Sequence, residues 1–156
     1  MASVGRFFEA PKQSFFLFGP RGTGKSTWLK QRYKSACIID LLAPDVFRMY
    51  SARPERLREV VNASEAKTII IDEVQKIPEL LDVVHQLIEE DLNIQFILTG
   101  SSARKLKATG VDLLAGRAIV KTMHPFMAAE LGSLFKLQES LEMGLVPLVL
   151  GSTSPK

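Results

Sequence analysis

At 156 residues, with 46% hydrophobic and 24% charged side chains, the chain has the usage of one ordinary globular domain, which excludes a disordered or fibrous protein. The formal net charge of +3 is mild and Lys and Arg form no dense block, so nucleic-acid binding is allowed by charge but not indicated. No apolar run approaches the roughly 18 residues that span a bilayer, and residues 1–10 lack the apolar stretch of a signal peptide, so a cytoplasmic protein with no membrane partner is expected.

Apolar runs of strand length alternate with stretches of helical period, which predicts parallel strands joined by helical crossovers. The first strand is Ser14–Phe18, followed by a helix over Lys25–Arg32. Ala36–Asp40 is the second strand; its single thiol, Cys37, stands among apolar neighbours and is read as a buried structural residue. A helix is predicted over Ala52–Ala63, with Ser51 as its cap and Pro54 in its first turn. Thr68–Asp72 is the third strand, apolar at consecutive positions as a strand covered on both faces should be. Pro78–Asp91 is the clearest helix, because Leu80, Leu81, Val83, Val84, Leu87 and Ile88 recur three and four apart, with His85 at the border of the stripe. Gln95–Thr99 and Ala118–Lys121 complete five strands, and Gly151–Lys156 reads as a loose tail.

Between the first strand and first helix the chain reads Gly19-Pro20-Arg21-Gly22-Thr23-Gly24-Lys25-Ser26, a Gly, any four, Gly-Lys, Ser/Thr pattern expected by chance in roughly one chain of this length in two hundred. Each fixed position has a reason. Glycine opens backbone conformations that turn successive N–H groups inward around a phosphate, and the helix start aims its positive end at the same anion. Lys25 supplies a cation for the β- and γ-phosphates, and the Ser26 hydroxyl suits Mg²⁺, a hard ion that prefers oxygen. Apolar Phe15–Phe18 before the loop and a helix-compatible segment after it supply the required strand, loop and helix. Resemblance to other P-loop proteins adds Thr27 as a contact to the α-phosphate. Trp28 is read as packing.

The third strand ends in Asp72-Glu73. Ligands of open α/β sheets sit beyond the carboxyl ends of strands, so both acids are expected at the rim where the phosphates lie. Asp72 is the candidate Mg²⁺ ligand and Glu73 the candidate base for an attacking water. The fourth strand runs into Gly100-Ser101-Ser102, and Thr99 or Ser101 is a candidate sensor of the γ-phosphate, with capping of a helix over Ala103–Lys107 as the alternative use of these hydroxyls. Arg117 is a candidate for stabilising charge on the transferred phosphate, against a plain structural role. His124, before Pro125, is assigned to a turn.

The segments Phe18–Thr27, Ile69–Pro78, Leu98–Arg104, Leu114–Ala118 and His124–Leu131 together resemble a group of prokaryotic AAA-type ATPases in which the ATPase domain is followed by a C-terminal region of poorly defined function. The resemblance spans about residues 10–131. It implies a three-layer α/β/α P-loop fold of the catalytic-glutamate branch with a five-stranded, mostly parallel sheet, and ATP with Mg²⁺ as ligands. It divides the chain into an ATPase core over 1–131 and a short or truncated segment over 132–156. Such proteins usually carry a helical lid with a further arginine, yet no arginine follows Arg117 here, and the apolar run Leu145–Leu150 is expected to be exposed. Slow hydrolysis by the isolated chain, and a protein partner or the remainder of a longer chain, follow as expectations. The readings carried forward are an ATPase acting as a conformational switch, a small-molecule or nucleoside kinase, and a nucleotide-binding module without turnover.

Overall fold

The structure is a computed structural model that describes residues 5–108 and 114–147. The expected tail, the end of the Leu145–Leu150 run and Leu113 lie outside the described residues. Five strands, β1 (Phe15–Phe18), β2 (Cys37–Asp40), β3 (Thr68–Asp72), β4 (Gln95–Gly100) and β5 (Ile119–Thr122), form one parallel sheet in the order β2-β3-β4-β1-β5. The α/β class and five-stranded sheet expected from the sequence are therefore present, and every strand pair is parallel.

Alternation along the strands sends side chains to two cores. Phe16, Phe18, Ile69, Ile71, Phe96 and Leu98 point to one face. There they meet α2 (Pro44–Ala52), α3 (Arg56–Ala63) and α4 (Leu80–Glu89) through residues such as Tyr50, Leu57, Val61, Leu80, Val84 and Leu87. Phe15, Leu17, Ile70 and Ile97 point to the other face, against Leu29 and Trp28 of α1 (Lys25–Arg32), Phe8 and Met123. Trp28 meets Phe8 edge-on with ring centroids 4.9 Å apart, so it packs as expected.

The central strands β1, β3 and β4 are nearly fully buried, whereas β2 and β5 are edge strands with one face partly open. Cys37 is accordingly half-buried, less enclosed than its apolar neighbours suggested, and burial pushes its thiol pKa up. Ile38 is exposed for the same reason.

The helix predicted over Ala52–Ala63 is corrected. Ser51 and Ala52 are the last turn of α2, and α3 begins at Arg56. Pro54 disfavours helical backbone at the residue before it, and Arg53 lies at φ −149°, so the chain breaks there. The signal for α2 is Pro44 at its first position with Asp45 in the first turn. The predicted Pro78–Asp91 helix is trimmed to Leu80–Glu89, with a turn over Pro78 and Glu79 before it.

Loop anchoring comes from side chains that periodicity does not reveal. The Gln95 amide donates to the carbonyls of Pro11, Lys12 and Gln13 at 2.9, 3.2 and 3.0 Å. The Phe96 N–H donates to Ser14 Oγ at 2.9 Å, so β4 holds the approach to β1 in place. After β4 come α5 (Ala103–Lys107), and after β5 the short α6 (Ala128–Leu131) and α7 (Leu137–Met143). No helix of the described residues is long and apolar enough to cross a membrane.

Leu87 is only 1% exposed, at the centre of the α4 contact with the sheet. Leu87→Ala is expected to lower unfolding stability by about 2–5 kcal/mol, measured by urea denaturation with an unchanged m-value.

Candidate functional site

The loop between β1 and α1 turns at the carboxyl rim of the sheet. Gly24, immediately before α1, lies at φ +86°, a left-handed conformation that a side chain would disfavour. At Gly19 the constraint is space, because a Cβ there would run into the Met123 carbonyl, just past β5. The Gly19 N–H donates to the Gly100 carbonyl at 3.3 Å, tying the loop to the end of β4. The Thr23 hydroxyl donates to the Pro20 carbonyl at 2.9 Å and closes the turn from inside.

Lys25 is buried, and its ammonium donates to the carbonyls of Gly19 and Pro20 at 2.6 and 3.1 Å. Burial lowers its pKa. The carboxylates of Glu73 and Asp72 oppose that fall, and the Arg21 charge adds to it. The cation of the loop and the acids of β3 thus lie within electrostatic reach of each other. Pro20, Arg21 and Thr27 are exposed around the loop, and Gly22 is half-buried.

Asp72 joins three elements. Its Oδ2 accepts from the Ser26 hydroxyl of α1 at 2.6 Å, and its Oδ1 accepts from the Thr99 hydroxyl of β4. Strand register explains the second contact: Ile71 pairs with Leu98, so the next residues, Asp72 and Thr99, stand side by side on the face that carries α1. Thr99 is fully buried, and its oxygen also accepts the Glu73 N–H at 3.1 Å.

Glu73 is buried and takes left-handed dihedrals, φ 61° and ψ 45°, rare for a residue with a side chain. Its Oε2 accepts from the Gln75 amide. Ser101 lies half-buried one residue beyond Gly100, whose carbonyl accepts from Gly19 at the start of the loop. Ser102 precedes α5 without a side-chain cap bond, so that helix does not use its hydroxyl as a cap.

One candidate is corrected. Arg117 precedes β5, so in a parallel sheet it stands at the amino rim, opposite the loop that follows β1. It borders the same surface as Lys12, Ser14, Lys67 and Gln95, all at the amino ends of strands, and pairs with Glu89 of α4. It does not join the site of its own chain. His85 lies 3.8 Å from Glu89 on the same helix, and His124 is an exposed residue in the extended stretch after β5, whose carbonyl accepts from Arg6.

Sequence reading missed Gln75 and Gln95, since a glutamine beside a strand carries no periodic signal. It also missed the anchor of the amino-terminal segment. The Arg6 guanidinium stands 3.4 Å from a carboxylate oxygen of Glu130 and 4.5 Å from the centre of the Phe126 ring.

The oxygens of Ser26 and Asp72 are a hard donor set that fits Mg²⁺ held jointly with phosphate oxygens. Among the described residues no group of three or more His, Cys, Asp or Glu could hold a metal without such help.

A family model described as AAA domain matches residues 11–132, well over half of the chain. A solved chain described under the structural basis for katanin self-assembly is similar, with a TM-score of 0.52 at 16% identity. The match covers 78% of this chain and 43% of that one, and it shows a shared fold. No curated protein matches at a significant level.

The Thr99 oxygen serves both Asp72 and the Glu73 backbone. Thr99→Val, nearly the same in shape, is therefore expected to leave a buried carboxylate and a buried N–H short of partners and cost about 2–5 kcal/mol of stability, read by chemical denaturation.

Proposed function

The chain belongs to the AAA domain family and is an ATP-binding domain of that type; from this premise we propose that it hydrolyses ATP in a Mg²⁺-dependent reaction and that the cycle switches its conformation. The observation supporting this reading is the Asp72 carboxylate, held by hydroxyls from α1 and β4 beside Glu73 and facing the Lys25 loop.

The roles follow from position. Backbone N–H groups of the loop from Arg21 to Ser26 and the Lys25 ammonium bind the β- and γ-phosphates, and Thr27 lies where α1 begins, for the α-phosphate. Ser26 and Asp72 hold Mg²⁺, which when bound neutralises charge on the phosphate oxygens. Glu73 accepts a proton from water as the water oxygen bonds to the γ-phosphorus. The bond to the bridging oxygen breaks and ADP leaves with the electron pair, in the in-line geometry common to phosphoryl transfer. Thr99 and Ser101 at the end of β4 sense the γ-phosphate, Thr99 through its contacts to both acids.

Arg117 stands at the opposite rim and brings no stabilising charge to the site of its own chain. A neighbouring copy or the rest of a longer chain is the source we propose. The similar katanin chain is described for self-assembly, in keeping with the first. The family match ends at residue 132, in keeping with an ATPase core over 1–131 followed by a short or truncated segment over 132–156.

With radiolabelled ATP and Mg²⁺, Lys25→Ala is expected to weaken nucleotide binding by at least about tenfold. Glu73→Gln is expected to keep ATP affinity within about twofold while lowering phosphate release by about a hundredfold or more. Label on an added acceptor would establish a kinase instead, and label that stays on ATP with wild-type protein would establish a binding module. A monomeric sample is expected to turn over below about 1 per second, and its rate should rise with protein concentration if a second copy supplies the missing charge.

A further inference from the structure

We infer that Gln75 is a positioning residue that sets the carboxylate of Glu73 for reaction, and that Gly100 is glycine to leave room for it. The inference rests on the reading of Glu73 as the base.

Gln75 sits in the single 3-10 turn Val74–Lys76 directly after the acid pair. The turn is locked from below by Val74, which is fully buried, and by Ile77 after it. From this fixed base the Gln75 amide nitrogen donates to Oε2 of Glu73. The backbone N–H of Glu73 is already held by Thr99, so the residue is fixed at both ends despite its left-handed backbone. Strain of that kind persists where the surroundings over-determine it. With Oε2 engaged by the amide, Oε1 is the carboxylate oxygen left to take a proton from water.

The other end of the same amide shows what this arrangement costs. Gln75 Oε1 is shielded from solvent and accepts no hydrogen bond. A buried acceptor without a partner is unfavourable, and a leucine would occupy similar space without that penalty. Packing alone therefore does not account for glutamine here; its donor does.

Gly100 supplies independent support. It is absent from the positive-φ residues, so its backbone does not call for glycine. A Cβ at this position would lie 2.6 Å from Gln75 Oε1 and 3.2 Å from a Phe18 ring carbon. The nearest obstacle is the amide itself, so any larger residue would push Gln75 away from Glu73.

The 156-residue chain carrying Gln75→Leu, Gln75→Met or Gly100→Ala tests this with three readouts: ATP turnover, nucleotide affinity and thermal unfolding. Each variant is expected to lower kcat by about tenfold while ATP affinity stays within about twofold. Gln75→Leu should unfold no earlier than wild type. Gly100→Ala should add nothing further in a Gln75→Leu background, since both act through one contact. Unchanged kcat in Gln75→Leu, or full activity in Gln75→Met, which keeps the length but cannot donate, overturns the inference.

A measurement independent of turnover follows the Gln75 side-chain N–H signals by NMR in nucleotide-free protein. They should shift on Glu73→Ala, and signals that stay put refute the contact. Full hydrolysis by Glu73→Gln would defeat the parent reading. An inactive Glu73→Gln beside fully active Gln75 variants would defeat this inference alone.

Discussion

The carboxylate of Asp72 accepts one hydroxyl from α1 and another from β4, and the rest of the site takes its position from that junction. Three elements that are distant in sequence meet on one charged group. Two charge-assisted hydrogen bonds offset the cost of removing a carboxylate from water, and a buried network of this kind is more rigid than separate pairs would be. Because Thr99 also accepts the Glu73 N–H, the junction reaches the neighbouring acid without an added element. Moving β4 along β3 by one residue would turn Thr99 to the other face and undo both contacts.

The sheet order makes the junction reachable. β1 is flanked by β4 and β5, so the loop leaving β1 emerges beside the ends of both, and the Gly100 and Met123 carbonyls border Gly19. β3 lies one strand further out, at the distance that Ser26 spans from the first turn of α1. Two apolar cores, one on each face, hold these strands in register while leaving the rim polar. The same parallel geometry sends Arg117 to the far side, since a residue that precedes a strand cannot share a rim with residues that follow its neighbours.

Several features of the rim work against stability. Lys25 is buried with its pKa lowered, Glu73 has left-handed dihedrals, and Gln75 carries an acceptor without a partner. Each is unfavourable for folding, and all three cluster around Asp72. The cores, by contrast, are filled by ordinary Phe, Leu, Ile and Val side chains. Costs of three different kinds that meet on one rim are what a functional site produces.

Composition, alternation and the glycine loop by themselves determined the α/β class, the number of strands, the loop and the acid pair. These are local signals: a run of Ile residues before Asp72, or two glycines around Thr23, means the same whatever surrounds it. The break at Arg53 was also local, yet Pro54 fits the first turn of one helix as well as the gap between two, so the pattern did not choose. What depends on which strand lies beside which was left to the tertiary structure. Strand order decided that Cys37 sits on an edge and that Thr99 meets Asp72, and the parallel direction decided that Arg117 stands at the rim opposite the glycine loop. Gln75, with Gly100 against it, became visible only when β3 and β4 were side by side, because a hydrogen bond to a carboxylate and the space for it leave no periodic trace in a chain.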